Sequence, residues 1–329
     1  MQKRLIWFVC WLTLLAGCSE PLEKPNEDSF ALVNEPVAMA KFSKDSQLLA
    51  LYTLSKELQV WAVDTRSVKL VLPFSKLGEV ARDITLTSDN QHVLVASENR
   101  ISFWALDTGN LSQFYSINGA DPLARIATLA SAPNNDFLAI GMTDGSVVLM
   151  SFKDKSQRLF KPHDAEVAHL RWDSRSEKVL SGGFDGHVAL WRFSDAHVEH
   201  EFNVAKRVTS LATDSSLSKA FVSDAVHDQI VWDFKQNKAL SRLSYPERFR
   251  WFRASFLFDE RSILVTASSK SKLFVWDINS GNELASWWIS ASNSEALILD
   301  IVQVSSGTLM TISSDGIVER WPLDSMLSK

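Results

Sequence analysis

Five of the seven histidines, His163, His169, His187, His197 and His200, fall within one short stretch of the chain. Neutral imidazoles are the commonest protein ligands for transition metals, so such a cluster first suggests a metal site. Ligation needs the rings to converge, and the spacing works against that. His197 and His200 are three positions apart on an expected strand, and an odd separation sends them to opposite faces. His169 and His187 fall on two further strands. We therefore expect no metal.

Other catalytic chemistry is equally hard to find. The chain has no Gly-x-Ser-x-Gly elbow, no phosphate-binding Walker loop and no His-Glu-x-x-His pair. Carboxylates are plentiful, but they recur in turns, where solvated loops need them. Two segments, "ALDTGN" (Ala105–Asn110) and "WDINSGNELASWW" (Trp276–Trp288), resemble the repeat of quinoprotein propellers. Only the second has the tryptophans that should follow, and no cysteine pair is present. We expect no cofactor and no enzyme. The net charge of −5 comes with no basic block, which argues against a nucleic-acid partner.

One stretch is unusual. "YPERFRWFRASF", Tyr245–Phe256, sets Arg248, Arg250 and Arg253 among Phe249, Trp251 and Phe252. Arginine and aromatic side chains dominate binding hot spots. The second half has an ordinary explanation, since Trp251, Arg253 and Ser255 alternate with core-type Phe252, Ala254 and Phe256. Arg248, Phe249, Arg250 and Trp251 are the candidate partner surface.

At the N-terminus, Lys3 and Arg4 precede an apolar run, Leu5 to Leu15, that ends in Ala16-Gly17-Cys18. Eleven residues are too few to span a bilayer, which takes about 20. Basic residues, a short apolar core and small residues make a signal peptide. Leu15-Ala16-Gly17-Cys18 also resembles the lipobox of bacterial lipoproteins. That resemblance implies cleavage before Cys18 and acylation of Cys18 on its thiol and its new amino group. Multiple acyl chains make a stable membrane anchor. Ser19, rather than aspartate, implies sorting to the outer membrane. The mature chain would hold no other cysteine, because Cys10 leaves with the signal peptide, and its net charge would be −7. Residues 18–28 are the lipidated cysteine and a polar, proline-bearing tether, which ten extended residues carry to about 35 Å at most.

The elements that position all these residues are repeats. Short alternating segments recur at "LQVWAVD", "ISFWALD", "VVLMSFKD", "VALWRFS", "QIVWDF", "LFVWDI" and "IVERWPLD". Their shared position is Trp61, Trp104, Met150, Trp191, Trp232, Trp276 and Trp321, at gaps of 43, 46, 41, 41, 44 and 45 residues. Period-two alternation indicates strands rather than a helical solenoid. In the first repeat the strands a to d are expected at Val37–Phe42, Leu48–Thr53, Leu58–Val63 and Val68–Phe74. The last repeat has room for only three strands, at Leu297–Val304, Thr308–Ile312 and Ile317–Leu323. A spare strand, Phe30–Val33, precedes the first repeat and can complete the last one, leaving no open edge.

The spacing matches the WD40 repeat, and the fourth repeat carries the resemblance furthest. There His163 precedes Ser181 by 18 residues, Asp185 follows four later and Trp191 six after that. These residues resemble the structural His–Ser–Asp–Trp tetrad of the WD40 family. The resemblance implies a polar relay in which aspartate fixes imidazole, imidazole meets hydroxyl and hydroxyl meets indole N–H. Repeat seven keeps Thr311, Asp315 and Trp321, with Asn293 in the histidine's place. Repeats two, five and six keep Trp104, Trp232 and Trp276 without a matching aspartate.

The expected fold is all-β, a seven-bladed WD40-like propeller over residues 29–329 closed by its N-terminal strand, after a signal peptide at 1–17. The expected function is a non-catalytic, monomeric protein-interaction scaffold, lipid-anchored in the bacterial envelope, facing the periplasm from the outer membrane and serving envelope assembly. Its partners would be envelope proteins, and the membrane through the lipid. Two alternatives stand beside it. One is a quinoprotein-like or other small-ligand-binding propeller, and the other a cytoplasmic scaffold whose N-terminus only imitates a lipobox.

Overall fold

Each repeat folds into a four-stranded antiparallel sheet, and there are seven of them. The computed structural model describes residues 26, 28–244, 251–259, 261–268, 270–291 and 295–327. In blade one, strands a to d run Val37–Phe42, Leu48–Thr53, Leu58–Ala62 and Ser67–Leu72. Blade four is Val167–Trp172, Lys178–Gly183, His187–Arg192 and Val198–Asn203. Blade six is Phe252–Leu257, Ile263–Ser268, Lys272–Asp277 and Glu283–Trp288. The all-β, seven-bladed architecture read from the repeats is the one observed.

The hydrophobic core is divided among the seven blade-to-blade interfaces. Strand b of blade one shows why. Leu49 and Leu51 pack towards blade seven, while Ala50 and Tyr52 pack towards blade two. Side chains alternate across a strand, so a strand covered on both faces must be apolar at successive positions. Residues 49–53 are accordingly all buried. The repeated residue of strand c always packs back against the preceding blade. Trp104 joins the cluster shared with blade one, Met150 that with blade two and Trp191 that with blade three. Trp276 and Trp321 do the same against blades five and six.

Blade seven supplies Ile298–Ser305, Thr308–Ser313 and Ile317–Pro322, and its fourth strand is Asp28–Ala31. The pairing is antiparallel, with Phe30 opposite Val318 and Ala31 opposite Ile317. The closing strand thus begins at Asp28, one residue inside the segment read as tether. Arg66 of blade one forms an ion pair with Asp28 and lies 4.0 Å over the Phe30 ring.

Several boundaries shift by a residue or two, the closing strand from the expected Phe30–Val33 to Asp28–Ala31 among them, and two change in kind. The sequence carries strand d of blade one to Phe74 and strand c of blade seven to Leu323. Both residues instead open short helices, α1 (Phe74–Leu77) and α2 (Leu323–Leu327). A proline precedes each, and proline supplies no N–H to continue a ladder. No helix among the described residues is long and apolar enough to cross a membrane.

The inner strands surround a central channel, each touching the next and the last touching the first. Six of them skip one residue against strand b near their starts. The skipped positions are Ala38, Ala127, Ala168, Thr209, Arg253 and Leu299. Such bulges re-aim the side chain they carry.

Candidate functional site

The loops that enter blades three, four and five are each tied to the end of strand b or the turn after it in the same blade, and blade four shows how. Asp185 sits in the turn between strands b and c. Its carboxylate accepts the backbone N–H of Asp164 at 2.9 Å and that of His187 at 3.0 Å. It also lies 3.2 Å from His163 Nδ1. On the other side of that ring, His163 Nε2 is 2.8 Å from Ser181 Oγ, and Trp191 Nε1 donates to the same hydroxyl at 3.2 Å. His163, Ser181, Asp185 and Trp191 therefore form one continuous chain from the loop to the blade interior. Ser181 and Trp191 are fully buried, so their polar atoms must find partners within the protein, and the relay supplies them.

Burial pushes the His163 imidazole down from its ordinary pKa, and Asp185 only partly offsets this. For Asp185 burial acts upward, but the backbone N–H groups of Asp164 and His187 outweigh it and hold the carboxyl low. The pair is accordingly a neutral imidazole beside a carboxylate. His163, Asp185 and His187 offer ligand atoms within 4.8 Å of one another. Both nitrogens of His163 are engaged, however, and His187 Nδ1 lies 3.2 Å from the Pro162 carbonyl. Asp224, His227 and Asp228 form a second such group. His197 and His200 are not brought to either group, and His169 lies in the channel instead.

Gly145 and Gly186 permit these turns. Gly145 has φ 87, and a Cβ there would stand 2.2 Å from the His163 carbonyl oxygen. The approach of blade three's turn to blade four's loop therefore needs glycine.

The other blades keep the loop clamp more faithfully than the tetrad. In blade three, Asp144 Oδ2 accepts the N–H of Asp121 at 2.7 Å. In blade five, buried Asp224 accepts the N–H of Lys206 at 3.0 Å and three more from Val226, His227 and Asp228. In blade seven, Ser314 Oγ replaces the carboxylate and accepts from Leu297 at 3.0 Å. Spacing from the tryptophan misses Asp224, because it sits eight residues before Trp232 rather than six. A better signal is an acidic residue at the end of strand b or within two residues after it.

The indoles diverge. Trp276 and Trp321 donate to Thr266 and Thr311 at 2.9 and 3.0 Å. The buried Nε1 atoms of Trp104 and Trp232 have no hydrogen-bond partner among the described residues. Trp232 instead stacks on Phe202, with ring centroids 4.1 Å apart. Of the glycine-turn segments, Trp287 donates to the Met326 carbonyl at 3.0 Å and so docks onto α2.

Cys18, Asn293, Arg248, Phe249 and Arg250 lie outside the described residues. Trp251 is half-buried at the entry to blade six, and Phe252 is buried among Phe221, Phe274 and Trp276. Arg253, the next residue, faces the channel.

The tetrad lies inside the segment that known proteins match. Residues 129–215, from the inner strand of blade three to blade five, match the family described as the anaphase-promoting complex subunit 4 WD40 domain. A WD repeat-containing protein 91 homolog of Dictyostelium discoideum is 24% identical over 203 residues, covering 59% of this chain and 26% of that protein. Cell division cycle 20.1, cofactor of APC complex, from Arabidopsis thaliana is 25% identical over 141 residues, 42% of this chain and 30% of the relative. A WD repeat-containing protein 55 homolog of Drosophila simulans is 20% identical over 183 residues, 55% of this chain and 35% of the relative. The matched segments thus span about a quarter to a third of these relatives' own length. The chain is thus a seven-bladed β-propeller, and its central blades, with their fully connected tetrad, are similar to those of WD40-repeat proteins.

Proposed function

We propose that this protein is a non-catalytic interaction scaffold that presents one stiff loop face to protein partners. The observation that carries the reading is the set of buried or half-buried carboxylates, Asp144, Asp185 and Asp224, each clamping the loop that enters its own blade. Loops held in this way lose little further freedom on binding, and that preserves affinity. Arg248, Phe249, Arg250 and Trp251 belong to the corresponding loop of blade six and are the proposed contact. One relative is named a cofactor of a larger complex, which accords with a scaffold role.

We further propose that Cys18 is lipidated and holds the propeller at the bacterial outer membrane, facing the periplasm, where it serves envelope assembly. Support for this comes from residues 1–28 themselves: the basic start, the apolar run, the lipobox-like Leu15-Ala16-Gly17-Cys18 and the polar tether. The relatives described above are eukaryotic.

Two experiments test the proposal. Membrane partition in detergent extracts should depend on Cys18 and vanish in Cys18→Ser. A soluble wild-type chain would remove the anchor while leaving the scaffold intact. Crosslinking in intact cells should capture a partner that is lost in Arg248→Ser/Arg250→Ser at unchanged thermal stability. Undiminished capture by the double variant would reject this surface.

A further inference from the structure

The channel is lined by charges that do not match one another. Lys41, Arg171 and Arg253 reach it from blades one, four and six, and Asp83 and Asp300 from blades two and seven. Three cations thus meet two carboxylates around a cavity of about 200 Å³. Both carboxylates also have structural work. Asp83 accepts the N–H of Leu129 at 2.8 Å and that of Ile84 at 2.9 Å. Asp300 accepts the N–H of Phe42 at 2.9 Å, stitching blade seven to blade one.

The cations are not paired off. Among the described residues, no carboxylate oxygen lies within 4 Å of the charged nitrogens of Lys41, Arg171 or Arg253. Asp83 and Asp300 still act on Arg171 at longer range, and Lys41 acts on Asp83. Arg253 has no such counterpart among the described residues: it stands exposed on the channel wall, and no carboxylate acts on its guanidinium. An exposed cation with no carboxylate partner, set in a concave wall, attracts a counter-ion from solution.

The position of Arg253 is also singular. It is the skipped residue of blade six's inner strand, where the other five bulges carry Ala38, Ala127, Ala168, Thr209 and Leu299. One guanidinium is therefore aimed into the channel from a place otherwise filled by small or neutral side chains. Ser210 and Ser255, bonded to each other at 2.7 Å, leave one hydroxyl hydrogen free to donate from the same wall.

We propose that the channel is a binding site for a small oxyanion of the phosphate class, held by Arg253 and Lys41 with the one free hydroxyl hydrogen of the Ser210–Ser255 pair. The planar guanidinium fork suits two oxygens of one phosphate, and the ammonium adds a point charge. The cavity admits a phosphate group with a few waters, and an attached group would extend out of the mouth. This site is independent of the partner loop, so failure of either leaves the other standing.

The test is calorimetric titration of the purified full-length chain with inorganic phosphate at constant ionic strength. Saturable binding near one equivalent is expected. Arg253→Gln should weaken it at least tenfold, and Lys41→Gln should weaken it less. Arg175→Gln, at an exposed arginine beside Glu177, should leave it unchanged. No saturable binding by the wild-type chain would overturn the proposal. Equal affinity in a folded Arg253→Gln chain, or an equal loss in Arg175→Gln, would overturn it too.

Discussion

Asn26 and Glu319 are 293 positions apart in sequence, yet the Asn26 side-chain amide donates to Glu319 Oε1 at 3.2 Å. Glu319 is buried in strand c of blade seven and also takes the Ser290 N–H on both oxygens, at 3.0 and 2.9 Å. One carboxylate therefore joins the chain's entry, the blade six to seven connection and the closing sheet. Glu319→Ala should remove the charged acceptor shared by the Ser290 N–H and the Asn26 amide and cost about 1–3 kcal/mol. Urea denaturation measures this, and a midpoint unchanged from wild type would contradict it.

The tryptophans of strand c should differ in what their N–H groups contribute. Ser181→Ala strands both His163 Nε2 and Trp191 Nε1, at a cost of about 1–3 kcal/mol. Trp191→Phe should likewise destabilise more than Trp232→Phe, because the Trp232 Nε1 has no hydrogen-bond partner among the described residues to lose. Equal losses at the two sites would show that the relay adds nothing beyond ring packing.

Acid should destabilise the propeller through two imidazoles, His163 in the core and the half-buried His169 on the channel wall. Burial, then the charges of Arg171 and Lys41, push the channel's His169 down to about 3, and His163 is lowered as well. The unfolded chain therefore binds protons that the folded one refuses. Stability is complete above the ordinary histidine pKa and falls as the pH drops through about 6.5 towards the folded value. His169 contributes up to about 1.4 kcal/mol per pH unit in that window. His169→Gln should flatten the slope between about pH 6 and 4. An identical slope in the variant would exclude His169 as its source.

Two left-handed glycines separate backbone strain from steric clash. Gly78 has φ 76 with open space around it, whereas a Cβ on Gly281, at φ 73, would stand 2.1 Å from the Arg242 carbonyl oxygen. Gly78→Ala should cost about 1–2 kcal/mol for the left-handed conformation alone. Gly281→Ala should cost clearly more, because its turn packs against blade five. Thermal unfolding of the two variants side by side decides the matter.

Much of the ring was legible in the chain itself. Strands a and b of blade one have the expected limits, because alternation and turn residues are local signals. The shortage of a fourth strand in blade seven, with a spare strand before blade one, revealed closure. The ends of strands were less legible. Pro73 and Pro322 stop two ladders just before Phe74 and Leu323, residues whose apolar character suits a strand or a helix equally.

The tetrad was readable because His163, Ser181, Asp185 and Trp191 keep a fixed spacing within one repeat. Asp224 was missed because its clamp acts through space on Lys206, whatever its distance from Trp232. The channel charges show the same limit more strongly. Lys41, Asp83, Arg171, Arg253 and Asp300 come from five different blades, and each looks like an isolated polar residue on its own strand. Repeat period and alternation are properties of neighbouring residues, so the sequence alone determined the blades, their number and their closure. Which charges share the channel depends on positions far apart in the chain, and only the closed ring could decide that.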